Sequence, residues 1–233
     1  MTPERIAKLR TVLNRRQPDL TVVTDYVHKG RNLSAIIRNA DAVGVQDLHC
    51  VIGDRDYRVF RGTAMGSHSW VTVHRYRDLL EPLVSLKSRG FQLVAAHFSA
   101  DAVDYHDIDY TRPTALIMGA ERAGVSHCGE QLADLHVTIP MVGMVASYNV
   151  AVAAGILLAE VRRQRALAGM YDSCRLDDRR YHQLFFEWGH PRVAEYCREK
   201  GLAYPALLED GEIDDPSAWY AGVRKKAAEG EPT

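Results

Sequence analysis

The chain has 233 residues, 46% of them hydrophobic, and a formal net charge of -1 at pH 7. This length and apolar content exclude a disordered chain and allow one domain with extensions, or one domain with a small second one. The four cysteines are widely spaced and form no metal-ligand pattern, so we expect reduced thiols and no bound metal. No signal-like segment or apolar run of membrane length is present, which predicts a cytoplasmic protein without membrane contact.

Basic side chains are concentrated in two segments despite the near-neutral total. Residues 1–16 form a basic arm that includes Arg15 and Arg16, and a predicted helix ends with Arg163 and Arg165. Each group alone is typical of a solvated surface, and the second also fits pairing with the helix dipole. Two such groups in one chain favour a localised site for an anion, as a nucleic acid requires.

Apolar strand-like runs alternate with helical runs along most of the chain. A helix start at Thr2-Pro3-Glu4 predicts an amphipathic basic helix that continues to Arg16. Strands are predicted at 20–23, 48–52, 71–73, 92–96, 115–118 and 137–139, and helices at 32–43, 78–89 and 149–168. This alternation predicts an α/β fold with a parallel sheet that helices cover on both faces.

Beyond Gly169 the strand signals disappear and the chain becomes aromatic, charged and helical in pattern. We interpret this part as an extension that packs on the core. The sequence therefore predicts three regions: a basic helix at 1–20, an α/β domain at 21–168 and a helical extension at 169–233.

An irregular run from Ile139 to Gly155, which contains Pro140 and Gly143, separates a strand from an apolar helix and indicates a ligand-binding loop. A second loop, 119–126, nearly matches the nucleotide phosphate loop, but Val125 stands where the lysine is required. In an open parallel sheet ligands bind at the carboxyl ends of strands. Loops after Ala96, Met118 and Ile139 are therefore expected to bracket an adenine and ribose without a phosphate contact.

A third segment begins at Asn32 and continues as a helix through Arg38. Taken alone, an asparagine there is more commonly a helix cap than a ligand, and Arg38 fits a surface or ion-paired arginine equally well. The functional interpretation comes from the ordered set of motifs, N-x5-R, then M-G-A-E-x-x-G, then I-P-M-x-G-x-x-x-S-x-N.

These motifs resemble those of the TrmH (SpoU) branch of the SPOUT class, tRNA ribose 2′-O-methyltransferases that modify guanosine 18 in the D-loop. Residues 32–44, 116–125 and 139–153 resemble the first, second and third motifs, and further similarity covers nearly the whole chain. The resemblance implies a SPOUT-type sheet with a C-terminal deep trefoil knot that encloses S-adenosylmethionine. Topology rules alone would not propose a knot. It also implies a homodimer with the third-motif helix in the interface, and tRNA as the partner.

The resemblance also implies roles for individual residues. Its catalytic set maps to Arg38, Asn32, Glu121, Ser147 and Asn149. The cofactor positions, acting largely through backbone groups, are Ala96, Gly119, Ile139, Met141 and Tyr148. RNA contacts are expected at Arg15, Arg16, Arg163 and Arg165.

The family assigns the role of base to the first-motif arginine, here Arg38, although arginine effectively stays protonated. Either an RNA phosphate and a desolvated site lower this barrier, or Arg38 stabilises the developing alkoxide and another group takes the proton. In either case Asn32 and Asn149 position Arg38 and the ribose, Glu121 supports them and Ser147 orders the third loop.

Two departures from the family pattern bear on specificity. Gly30-Arg31 stands where the family often has Pro-His, and Ala146 and Tyr148 replace a glutamine and a leucine. The alternatives are methylation of another RNA, such as ribosomal RNA, and a catalytically inactive RNA-binding SPOUT protein. The intact set of Asn32, Arg38, Glu121 and Asn149 speaks against the inactive alternative.

Overall fold

A computed structural model describes residues 1–53 and 69–229. Residues 54–68 and 230–233, which fall within the predicted second and third regions, lie outside the described part. The chain divides into two compact units, one of Met1–Asn14 with Leu176–Thr233 and one of Arg15–Arg175. This division differs from the three predicted regions, because the first helix and the tail form one unit while Arg15 and Arg16 belong to the other.

The larger unit contains a parallel sheet of seven described strands. The strands are β1 (Leu20–Asp25), β2 (Asp47–Val51), β3 (Thr72–Tyr76), β4 (Gln92–Ala96), β5 (Val103–Asp104), β6 (Thr114–Gly119) and β7 (Leu135–Thr138). Their order is β3-β2-β1-β6-β4-β7-β5, and each neighbouring pair is parallel. The predicted α/β class and parallel sheet are confirmed. The two-residue strand β5 was not predicted, since it is too short to show an apolar pattern.

Helices cover both faces of this sheet, as predicted. The larger unit contains α2 (Gly30–Ala42), α3 (Leu80–Ser88), α4 (His127–Leu132) and α5 (Val150–Leu167), and the smaller unit begins with α1 (Pro3–Leu13). Val22 and Val94 pack into the core under α2 and α5, whereas their neighbours Val23 and Leu93 pack into the core under α3. Because successive strand residues face opposite sides, burial on both faces explains why the strands are continuously apolar.

The strand order brings the ends of the motif-bearing strands together. Asp25 at the end of β1 is in register with Gly119 at the end of β6, and Ala96 at the end of β4 is in register with Val137 of β7. Behind them α2 packs on α5, where Nδ2 of Asn39 donates to the carbonyl of Ala151 at 3.0 Å. The three motifs therefore meet at the carboxyl edge of the sheet.

The smaller unit is helical and has its own core. Besides α1 it contains α6 (Asp178–Gly189), α7 (Pro191–Lys200) and α8 (Pro216–Glu229). Buried side chains of α1 and α6 form its interior, namely Ile6, Leu9, Leu184, Phe185, Phe186 and Trp188. The guanidinium of Arg10 donates to the carbonyl of Glu209 at 2.8 Å, so part of the basic charge of α1 is used within this unit. Within the described ranges, no helix combines the length and the apolar character needed to cross a bilayer.

Candidate active site

Asn32 connects the three sequence motifs. The helix α2 begins at Gly30, and Lys29 at its N-cap makes no side-chain capping bond. Asn32 therefore lies in the first turn, and its interpretation as the helix cap was wrong. Its amide is instead used across the site: Nδ2 donates to Oε1 of Glu121 at 2.7 Å, and Oδ1 accepts from Nδ2 of Asn149 at 3.2 Å.

The second motif is a tight turn that presents Glu121. Ala120 and Gly124 exchange two backbone hydrogen bonds of 2.8 and 2.9 Å. A Cβ on Gly119 would lie 2.1 Å from the carbonyl carbon of Gly124, and Gly124 itself has a φ of +71°. Since neither position accommodates a side chain without strain, the backbone geometry that carries Glu121 depends on both glycines.

Glu121 is an ionised acceptor at the edge of the sheet. Its side chain is 10% exposed. Burial alone would raise the pKa of Glu121, but hydrogen bonds from the backbone and Asn32, with the positive charge of Lys29, lower that pKa below its usual value. Oε1 accepts from Asn32, whereas the buried Oε2 has no hydrogen-bond partner among the described residues and lies 3.5 Å from Nε2 of His28.

Asn149 joins the third motif to the site and also begins α5. Its Oδ1 accepts from the backbone N–H of Ala151 at 2.9 Å, which makes it the N-cap of that helix. The loop before it is exposed from residue 142 to residue 149. The hydroxyl of Ser147, in this loop, makes no hydrogen bond to the part of the chain that the structure describes.

Three of the five positions expected to contact the cofactor, Ala96, Gly119 and Ile139, lie at or directly after the ends of three adjacent strands. Ala96 and Ile139 are half-buried against the core, and Gly119 is buried at the end of β6. Met141 is half-buried, and Tyr148 remains 42% exposed. Together they place backbone groups beside uncovered apolar side chains, an arrangement that suits a ligand with a flat apolar face.

Arg38 is exposed on α2, further along the helix from Asn32. Within residues 1–53 and 69–229, its guanidinium forms no hydrogen bond or ion pair. A solvent-facing cation without a protein partner, on the helix that carries Asn32, is available to bind an anionic group of a ligand.

Comparison with known proteins decides the family. The SpoU rRNA Methylase family matches residues 19–159, and the C-terminal region of SpoU rRNA methylases matches residues 163–216. The chain belongs to the SpoU rRNA methylase family. A protein of Escherichia coli (strain K12) named tRNA (guanosine(18)-2'-O)-methyltransferase is 45% identical over 226 residues, covering 96% of this chain and 99% of that protein.

Two solved structures extend this similarity to SpoU methylases with known folds. The A. aeolicus TrmH/SpoU tRNA modifying enzyme is 39% identical with a TM-score of 0.77, covering 82% of this chain and 97% of that one. The SpoU methyltransferase AviRb from Streptomyces viridochromogenes, in complex with the cofactor AdoMet, is 30% identical with a TM-score of 0.57. That match covers 66% of this chain and 59% of AviRb. The parallel sheet with flanking helices is therefore that of the SpoU family.

Two of the four arginines expected to contact RNA are buried in this SpoU chain. Arg16 has no exposed surface and donates to Oδ1 of Asp41 at 2.8 Å and to the carbonyl of Val45 at 3.0 Å. Arg165 is equally buried and pairs with Oδ1 of Asp19 at 2.6 Å. Because a buried charge must be paired, their donors are used inside the protein, and this burial argues against the predicted contact with RNA.

The other two arginines are accessible. Arg15 is exposed. Arg163 is 57% exposed, but Glu160, three residues earlier on α5, binds its guanidinium through bonds of 2.7 and 2.8 Å. Their contact with RNA stays a prediction.

The sequence interpretation missed two residues of the site. His28, between β1 and α2, points its Nε2 toward Glu121. Asp25 ends β1, is buried, and its Oδ2 accepts from the backbone N–H of Ser126 at 2.6 Å. Burial raises the pKa of Asp25, only partly opposed by hydrogen bonds from Ser126. A carboxylate at the end of an apolar strand and a histidine just before the first motif were the available signals.

Proposed function

We propose that this protein transfers a methyl group from S-adenosylmethionine to the 2′-hydroxyl of guanosine 18 in the D-loop of tRNA. The observation that carries the proposal is the amide of Asn32, which hydrogen-bonds both Glu121 and Asn149 and so assembles the three motifs. The name and the 96% coverage of the Escherichia coli relative support this choice of substrate.

The residues at the strand ends fit S-adenosylmethionine. Backbone groups of Ala96, Gly119 and Ile139 would hold the adenosine, and the side chains of half-buried Met141 and exposed Tyr148 would contact its apolar faces. The cofactor supplies an electrophilic methyl group on a sulfonium. AviRb, a SpoU relative in complex with AdoMet, supports the assignment.

The protein's own groups then position and stabilise the reacting hydroxyl. Arg38 places a permanent cation where negative charge develops on O2′, which lowers the barrier because the charge is pre-organised. Asn32 and Asn149 position the ribose, and Glu121 fixes the amide of Asn32. Ser147, whose hydroxyl makes no hydrogen bond within the described chain, would order the exposed third loop through a contact to bound ligand, while Arg15 and Arg163 neutralise RNA phosphates.

We further propose a homodimer, a deep trefoil knot and a location in the cytoplasm, where tRNA is available. Exposed apolar side chains on α5, Val152 at 50% and Leu167 at 78%, support burial against a second copy. The placement of β6 and β7 on either side of β4 brings the loops after Met118 and Ile139 together, which a knotted cofactor pocket requires.

The direct test is methylation of unmodified tRNA with labelled S-adenosylmethionine, followed by mapping of the label. A matched tRNA that carries 2′-deoxyguanosine at the target position lacks only the accepting hydroxyl. We expect label in the first RNA and none in the second. Label on ribosomal RNA with none on tRNA would overturn the substrate, and no label on either would overturn the enzymatic activity in favour of RNA binding alone.

A further inference from the structure

The imidazole of His28 is held in one tautomer. Its Nδ1 lies 2.8 Å from the carbonyl oxygen of Tyr26. A carbonyl oxygen accepts hydrogen bonds and never donates them, so Nδ1 carries the proton of the neutral ring and Nε2 carries a lone pair. With 40% of the side chain exposed, the basic nitrogen of this ring is within reach of a ligand.

The carbonyl that fixes this tautomer belongs to a strained residue. Tyr26 has a φ of 53°, in the left-handed region that residues other than glycine seldom adopt. Its backbone N–H donates to the carbonyl of Val51 at 3.2 Å, and its hydroxyl donates to the carbonyl of Arg77 at 3.2 Å. Strain of this kind persists where surrounding contacts hold it, and it is concentrated at functional sites.

Glu121 is placed to stabilise the protonated form of this ring. Its Oε2 lies 3.5 Å from Nε2 of His28, and this buried oxygen has no hydrogen-bond partner in the described part of the chain. A lone pair on Nε2 cannot bond to a carboxylate oxygen. Once Nε2 gains a proton it becomes a donor, and the unpartnered oxygen gains a charge-assisted hydrogen bond.

We propose that Nε2 of His28 accepts the proton of the ribose 2′-hydroxyl, an inference that rests on the proposed function. The O2′–H bond breaks and its proton passes to Nε2. O2′ forms a bond to the methyl carbon, and the electron pair of the carbon–sulfur bond stays on sulfur. The imidazolium is stabilised by Glu121 and later releases the proton to water, while Arg38 stabilises the charge on O2′ without losing its own proton.

The variants that test this role are His28→Gln and His28→Ala, compared with wild type in single-turnover methylation of tRNA. General-base removal is expected to slow methyl transfer by about 10²- to 10⁴-fold. Separate binding measurements should show cofactor and tRNA dissociation constants close to those of wild type. Added imidazole should restore part of the activity of His28→Ala and none of that of Arg38→Ala.

A second readout needs neither RNA nor cofactor. Nitrogen NMR on histidine-labelled protein should show His28 with its neutral proton on Nδ1. A neutral proton on Nε2, or a His28→Gln variant as fast as wild type, would overturn the role of His28. Wild-type protein that leaves tRNA unmethylated would instead overturn the proposed substrate, and the variants would then be compared on the RNA that the wild type accepts.

Discussion

Arg165 and Asp19 form a 2.6 Å ion pair in which the arginine side chain has no exposed surface. The opposite oxygen of Asp19 accepts from Arg175, also at 2.6 Å. Arg165 also donates to the carbonyls of Tyr110, Asp19 and Arg112 at 3.0, 3.1 and 3.1 Å, and to Oε1 of Gln17 at 3.1 Å. The last turn of α5 is thereby tied to the segment before β1 and to the loop before β6, which makes Arg165 part of the framework of the larger unit.

Replacing Arg165 should therefore affect stability, whereas replacing Arg163 should not. We expect Arg165→Ala to lower the free energy of unfolding by about 3 to 5 kcal/mol, because it removes one of the two cations that pair with Asp19 and the donor to three carbonyls. Arg163→Ala removes a pair whose arginine is 57% exposed, and Glu160 keeps its hydrogen bond from Gln164, so the cost should be about 0.5 kcal/mol. Denaturant unfolding of both variants is the measurement. Similar losses for the two would contradict the assignment of Arg165 to the framework.

The same two arginines show what the sequence leaves undetermined. Both end one helix, and the basic pattern is the same whether a side chain faces solvent or the interior. Their exposure depends on how α5 is rotated on the sheet and on the position of Asp19, which lies far away in sequence. Tertiary geometry decides which of the two side chains reaches solvent, and it buries Arg165 while Arg163 stays accessible.

Arg38 should matter for the reaction and not for the fold. Its guanidinium is exposed and makes no bond to the described residues, so Arg38→Ala should leave the melting temperature unchanged. We expect the rate of methyl transfer to fall by about 10²-fold or more, because a group that stabilises developing charge is lost. Cofactor binding should persist. Arg38→Lys keeps the positive charge but lacks the planar guanidinium with its several donors. An intermediate rate for this variant would separate the contribution of charge from that of geometry. An active Arg38→Ala variant would exclude Arg38 from the mechanism.

Asn149 has two functions that substitutions can separate. Its Oδ1 caps α5 and its Nδ2 donates to Asn32. Asn149→Ser retains a capping oxygen but has no amide donor, whereas Asn149→Ala loses both. We expect the alanine variant to lose about 1 kcal/mol of stability and the serine variant to keep most of it.

Measurements of activity should separate the hydrogen bond between Asn149 and Asn32 from the role of Asn149 as the helix cap. Both Asn149 variants are expected to methylate tRNA slowly, because each breaks the bond to Asn32. Kinetics and thermal unfolding measured on the same preparations provide the comparison. If Asn149→Ser were as active as wild type, the link between the first and third motifs would not contribute to catalysis.

Gly119 and Gly143 allow a substitution and its control, because only Gly119 is closely surrounded by other atoms. A Cβ on Gly119 would lie 2.1 Å from the carbonyl carbon of Gly124 and 2.2 Å from the backbone nitrogen of Val125. A Cβ on Gly143 would meet nothing within 4 Å. Gly119→Ala should cost about 1 to 3 kcal/mol or more, since backbone must move, and it should displace Glu121. Gly143→Ala should leave unfolding unchanged. Equal melting temperatures for the two variants would contradict this description of the turn.

The apolar periodicity of the sequence was sufficient to predict the helices and strands that are long and regular. The strand predicted at 92–96 is β4, and the helix predicted at 149–168 is α5 (Val150–Leu167). The six-residue helix α4 was missed because so short an element shows little periodicity. The alternative that Asn32 caps the helix does not hold, for a different reason. The helix starts earlier because Gly30 and Arg31 continue it, and the asparagine amide finds stronger partners across the site.

The burial of Asp25 determines the direction in which its contribution to stability changes with pH. Burial raises the pKa of Asp25 above its ordinary value of 3.8, so folding favours the protonated carboxyl. Its contribution to the free energy of unfolding is therefore largest at pH below 3.8. The contribution is lost as the pH rises through the higher pKa of the folded protein. Asp25→Asn keeps an acceptor for the N–H of Ser126 without the buried charge. The stability of this variant relative to wild type should therefore increase as the pH rises from about 4 to about 7.

Asp109 provides the control with the opposite sign. Hydrogen bonds from the hydroxyl and backbone N–H of Thr111 lower the pKa of Asp109, so its stabilising contribution is present at neutral pH and lost as the pH falls. The free energy of unfolding of Asp109→Asn should thus be lower than that of wild type at neutral pH, and this difference should shrink toward acid pH. Thermal unfolding of wild type and both variants from about pH 7 to about pH 2 is the measurement, because the contribution of Asp109 is lost only below its ordinary pKa of 3.8. Since all other carboxyls are common to the three proteins, parallel pH profiles for the two variants would contradict the opposite charge environments assigned to Asp25 and Asp109.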